Sequence, residues 1–225
     1  VLGGATQWGI FAAAMGCAAG GLALLAALTW RAETPAAFVL AGTVLASLAA
    51  AFTAFLISVA PNPYVVAAAI DWLMGALTDR SVEDLTHAAP FMLAGAALLL
   101  ATGRSLDALT LGTEAARSLG VSLSRLQALV IAGAGLCVGA GVAVTGVVGF
   151  VGLVVPHLLR PLAGARPSAL LIPSAMGGAA LVLLADTLCR LAPGAGEVRL
   201  GVAMALIGAP YFLVLLLGER GRSWG

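Results

Sequence analysis

The sequence predicts an all-α, polytopic membrane helical bundle, and three observations predict it. Of the 225 residues, 61% are apolar and only 9% charged. With a mean hydropathy of +1.09, the chain lies far from soluble averages. The apolar residues come in long broken runs, whereas a barrel would show alternating segments of about ten residues. Finally, 29 glycines and abundant alanine supply the small residues that let helices approach closely in lipid.

Seven spans are expected, at about 8–28, 36–58, 87–102, 126–145, 148–163, 169–189 and 200–217. Arg31 and Glu33 separate the first two, and Pro61-Asn62-Pro63 ends the second. The apolar stretch Tyr64–Leu77 follows, with Asp79, Arg80, Glu83 and Asp84 behind it. It reads as a short helix lying at one surface, or alternatively as an eighth span. The stretches 87–102 and 148–163 reach only about 24 Å at about 1.5 Å per residue, short of a ~30 Å hydrocarbon core. They must extend into their flanks or sit where protein thins or covers the bilayer. The stretch 148–163 also carries Pro156, His157, Arg160 and Pro161. Prolines and ionisable groups at membrane depth need protein or water around them, which argues for a packed bundle with a task. In the last span, Pro210 deprives the Leu206 carbonyl of its helical donor and should bend the helix.

Arginine placement orients the chain. Arg31, Arg104, Arg117, Arg125, Arg160, Arg166, Arg220 and Arg222 fall on one set of alternate ends, and Arg80, Arg190 and Arg199 on the other. The positive-inside rule puts the larger set, and the C-terminus, in the cytoplasm. Val1 is then outside. The chain begins with neither Met nor a signal sequence, so a preceding part with an odd number of spans is expected.

Several chemistries are excluded. All eleven basic residues are arginine, so no Walker loop, which needs a lysine on the β/γ-phosphates, is present. Cys17, Cys137 and Cys189 sit apart in apolar segments without CxxC spacing and read as small packing residues. His87 and His157 have no carboxylate at metal-ligand spacing, so no metal site is expected.

The loops hold the remaining information. In Gly103–Arg125, GRSLDALTLGTEAARSLGVSLSR, Thr113 is a candidate N-cap for a short helix from Glu114 to Leu119, with Gly120 as its C′ residue and Ser122 capping the next span. This loop is either a structured connector or a rigid docking knob for a partner. Asp186 and Arg190 stand at i, i+4 in the favourable order. They pair with each other, or Asp186 is a proton site, or Arg190 meets an acidic partner.

Four motifs then carry a resemblance: GVVGFVGLVVPHLLRPLAG with LLIPSAMGGAALVLLADTLCR, GVAMALIGAPYFLVLLL, LTLGTEAARSLGVSLSRLQ, and DWLMGAL at Asp71–Leu77. These motifs follow one another along the chain in the family's order, and from about Phe38 onward the chain resembles the permease subunit of type II ABC importers for iron-siderophores, haem and vitamin B12. Such permeases have ten spans with both termini inside. The resemblance implies that residues 1–225 are one transmembrane permease domain holding spans four to ten, with three earlier spans missing and Tyr64–Leu77 a short outer helix. His157 in the short eighth span is then a hydrogen-bonded structural group rather than a ligand.

The same resemblance implies roles. Gly112, Thr113, Glu114, Ala115, Arg117, Ser118, Leu119 and Gly120 would couple to a cytoplasmic ABC ATPase subunit. Arg190, with Glu197, would dock a periplasmic or lipid-anchored substrate-binding protein through charge-assisted contacts. Thr34, Pro35 and Ala36 would lie near the cytoplasmic gate, with Thr43 and Ser47 farther along a pathway at a homodimer axis. The family's usual Glu-Leu-Pro-Val-Gly stands here as Glu197-Val198-Arg199-Leu200-Gly201, which loosens the backbone and adds positive charge. The expected protein is therefore a multi-pass permease of the bacterial inner membrane, in contact with lipid and not nucleic acid. It performs no covalent chemistry and binds no cofactor, ATP being used by its partner. Its cargo is an iron chelate, haem or cobalamin. Two other classes remain: an ion-coupled secondary transporter using Asp186, and a structural subunit contacting a partner through Gly103–Arg125.

Overall fold

The computed structural model describes residues 5–29, 35–163, 166–191 and 198–220. Among these residues the fold is ten helices: α1 (Ala5–Thr29), α2 (Pro35–Ser58), α3 (Pro63–Met74), α4 (Val82–Ala101), α5 (Gly103–Leu109), α6 (Thr113–Ser118), α7 (Leu123–Thr145), α8 (Val151–Ala163), α9 (Pro167–Leu191) and α10 (Leu200–Arg220). Stretches of α1, α2, α4, α7 and α9 are long and apolar enough to cross a membrane. α10, with 21 residues, measures about 31 Å and runs through Pro210 without losing its helix.

The two short expected spans resolve differently. α4 extends to 20 residues because Ser81 starts it at Val82, ahead of the apolar run that begins at His87. The Ser81 hydroxyl accepts from the Asp84 N–H at 3.2 Å, and the Asp84 carboxylate accepts from the Ser81 N–H at 2.9 Å. This reciprocal capping box satisfies two orphan donors, and Glu83 and Asp84 complement the helix dipole. α8, by contrast, shortens. It begins at Val151, not 148, and its 13 residues reach only about 20 Å. Gly146 (φ 71°) and Phe150 (φ 67°) take left-handed conformations that end α7 and delay α8. Tyr64–Leu77 likewise narrows to Pro63–Met74, where 12 residues are too few to span.

The chain divides into two compact units: 1–70 with 80–144, and 71–79 with 145–225. In the first, α7 is packed through its glycines. A Cβ on Gly133 would lie 3.0 Å from the Gly95 carbonyl of α4, and one on Gly139 would lie 3.2 Å from Ala18 of α1. Phe11, Ala88, Ala140 and Ala143 form the core there, and Trp8 and Phe11 pack their rings on His87. In the second unit, α8 and α9 form a hairpin. Gly177 and Gly178 open a groove in α9 that receives Val151, Val155 and Leu159, one ridge of α8. Without a hydrophobic drive between helices in lipid, such close van der Waals contact is what holds the pair. Ala185, Leu200 and Met204 form the second core. His157 meets Tyr211 of α10 edge-on, with ring centroids 6.4 Å apart, which is a packing role.

Candidate functional site

Between α4 and α7, two short helices make a compact knob in the first unit. Thr102, 1% exposed, separates α4 from α5, and its hydroxyl donates to the Leu99 carbonyl at 2.6 Å. α6 starts from Gly112, not from Thr113: the backbone at Gly112 has φ 97° and ψ 158°, and Thr113 is already helical without a side-chain cap. An L residue at Gly112 would be strained, which is why the turn selects glycine over the threonine cap.

The C-terminal end of α6 closes as expected. Gly120 adopts φ 85°; its N–H donates to the Arg117 carbonyl at 2.9 Å and the Val121 N–H to the Ala116 carbonyl at 3.0 Å. These two bonds are a Schellman motif. Ser122 then accepts weakly from the Arg125 N–H at 3.5 Å and begins α7. Ala116 is fully buried beneath the knob. Glu114 and Arg117 pair loosely at 3.4 Å with side chains 89% and 53% exposed, a contact worth little in water. Ser118 bonds back to the Glu114 carbonyl. Leu111 and Leu119, exposed at 66% and 65%, flank the helix. Around α6 the knob is thus a backbone fixed at both ends, presenting Glu114, Arg117 and the bare Leu111 and Leu119.

In α2, Thr43 and Ser47 are exposed, and their hydroxyls donate to the Leu40 and Thr43 carbonyls at 2.9 Å. Their protons are spent within the helix, so α2 presents an almost apolar surface of Val39, Leu40, Val44, Leu48 and Phe52. Ala36 is exposed. Thr34 lies outside the described residues, as does the side chain of Pro35.

The second unit gathers the remaining charges. Arg190 Nε donates to Asp186 at 2.8 Å, so the i, i+4 pair predicted from spacing forms, with Asp186 17% exposed and Arg190 52%. Glu197 lies outside the described residues. Arg199 donates to Asp71 at 3.0 Å. Spacing could not reveal that pair, because the partners stand 128 positions apart. The available signal was Arg199 itself, a cation where proline is usual, together with the acid in DWLMGAL. Beneath the pair, backbones touch. The Val147 N–H donates to the Trp72 carbonyl at 3.0 Å, the Ala76 N–H to that of Thr145 at 2.8 Å, and the Gly201 N–H to that of Gly75 at 3.3 Å. Any Cβ on Gly75, Gly146 or Gly201 would collide with a carbonyl oxygen of this junction.

The FecCD transport family matches residues 1–218. The chain belongs to the FecCD transport family. Its relatives in that family are named as permeases. It is 38% identical to the cobalamin import system permease protein BtuC of Halobacterium salinarum, over 89% of this chain and 55% of that protein. It is 39% identical to the Fe(3+) dicitrate transport system permease protein FecD of Escherichia coli, over 90% and 64%. It is 41% identical to the hemin transport system permease protein HmuU of Yersinia pestis, over 68% and 46%. A solved structure described as a putative metal-chelate type ABC transporter in an inward-facing conformation superposes with a TM-score of 0.85 at 31% identity, over 94% of this chain and 68% of that one. The all-α permease fold and the family resemblance read from the four motifs are therefore established, and the family is one of transport proteins rather than enzymes. The chain spans 46–64% of the length of these three relatives.

Proposed function

We propose that this chain belongs to a permease subunit of a type II ABC importer that moves an iron chelate, haem or a corrinoid across the bacterial inner membrane. The observation that carries the proposal is the knob. A short helix locked by Gly112 and Gly120, seated on fully buried Ala116 and flanked by bare Leu111 and Leu119, is a shape suited to an apolar groove on an ATPase. Residues Gly112 to Ala115 of that loop, with Arg117 to Gly120, then transmit the partner's ATP-driven movement. Its C-terminus, like the knob, lies in the cytoplasm. Two copies enclose a pathway along α2, whose back-bonded Thr43 and Ser47 neither grip nor reject a large chelate. Arg190 and Glu197 meet a binding protein on the opposite side of the membrane.

The Asp186–Arg190 contact favours pairing within the chain over an ion-coupled carrier, since the carboxylate already has the arginine as its partner at 2.8 Å. Reconstitution of the full-length protein with its ATPase and binding protein tests the proposal. Uptake of ferric citrate, haemin or cobalamin should require ATP. Failure with every ligand of these three classes would contradict it.

A further inference from the structure

We infer that Arg160 and Arg166 together hold the phosphate of an anionic phospholipid at one end of the α8–α9 hairpin. Both belong to the second unit. Arg160 lies in the last turn of α8 and Arg166 directly precedes α9, so the hairpin brings them to the same end. Both are exposed. No aspartate or glutamate occurs between Glu114 and Asp186, and among the described residues neither arginine takes part in an ion pair. Helix electrostatics does not account for the two charges. Arg160 complements the C-terminal end of α8, but Arg166 stands at the N-terminal end of α9, where a cation is disfavoured.

Depth and the neighbouring surface point to a lipid. The 25 residues of α9 measure about 37 Å, somewhat more than the ~30 Å hydrocarbon core. With the helix across a bilayer, Arg190 near one end and Arg166 at the other reach headgroup depth on opposite sides. α8 meets α9 through the ridge Val151, Val155 and Leu159. Helical periodicity turns Leu153 and Arg160, two turns apart, to the side away from that ridge, and Leu153 is 62% exposed. An apolar surface therefore continues inward from the arginine, as the acyl chains below a bound headgroup require. A water-soluble acidic surface would match the charges but leave that apolar strip bare.

The inference goes beyond the transport reading and is tested without transport. In the full-length protein, with every native tryptophan replaced by phenylalanine, Leu153→Trp supplies one fluorescent reporter on the Arg160 side of α8. In mixed bilayers, its quenching by brominated phosphatidylglycerol is compared with quenching by brominated phosphatidylcholine of the same chains. The reporter should favour the anionic lipid. Each basic residue near an anionic headgroup contributes about fivefold in affinity, so Arg160→Gln and Arg166→Gln should each lower the preference about fivefold. Arg160→Lys and Arg166→Lys should keep most of it, because the charge remains. Salt at 1 M should weaken it in the parent protein, where screening acts within about 3 Å. Equal quenching by the two lipids, or a preference untouched by both glutamine variants, would overturn the site. So would glutamine variants that keep the lipid preference but lose co-purification with the ATPase, which would assign these arginines to the protein partner.

Discussion

Gly120 shows how one residue carries a function that no contact of its own side chain could. At φ 85° it completes two hydrogen bonds that end α6, and a β-branched side chain there costs about 1–2 kcal/mol. Gly120→Val should therefore loosen residues 113–121, seen as faster amide exchange, and lower ligand-stimulated ATPase activity while membrane insertion stays normal. Glu114 is 89% exposed and contributes little to stability. Glu114→Arg should accordingly leave the melting temperature within about a degree yet reduce the same activity. If both variants couple normally, the partner grips elsewhere. Arg190 makes the third case. Arg190→Glu opposes Asp186 and should weaken binding-protein affinity, most clearly at low salt. An affinity indifferent to both the substitution and salt would leave Arg190 as a partner of Asp186 within the chain.

At the scale of elements, the α8–α9 hairpin depends on absent side chains. A Cβ on Gly177 would lie 2.8 Å from Leu159 and 2.9 Å from Val155, whereas one on Gly141 meets nothing within 4 Å. Gly177→Val should cost about 1–3 kcal/mol by overpacking, and Gly141→Ala should cost none; thermal unfolding in detergent distinguishes them. The long helices were legible in the sequence because hydropathy reports length directly. Their ends were less so, since ends are decided by local hydrogen bonding. The apolar run marked α4 only from His87, while the capping box at Ser81 placed its start at Val82. Gly146 and Phe150 lie inside an apolar run, and only their left-handed backbones explain why α8 begins late. The knob was legible because Gly120 is a local signal. Thr113 misled, because a glycine in front of it accommodates a turn that threonine cannot make.

For the whole molecule, family membership was readable from four motifs in order, whereas the Asp71–Arg199 pair was not, since it joins residues that only the folded chain brings together. The account's central claim is that an ATPase drives movement through this permease. Proteoliposomes holding the full-length protein, its ATPase and its binding protein separate that claim from ion coupling in one measurement. Uptake of the cognate ligand should follow ATP hydrolysis, persist when the proton gradient is dissipated, and survive Asp186→Asn together with Arg190→Gln at reduced rate. Uptake that runs on a proton gradient without ATP, and stops when Asp186 is neutralised, would contradict it.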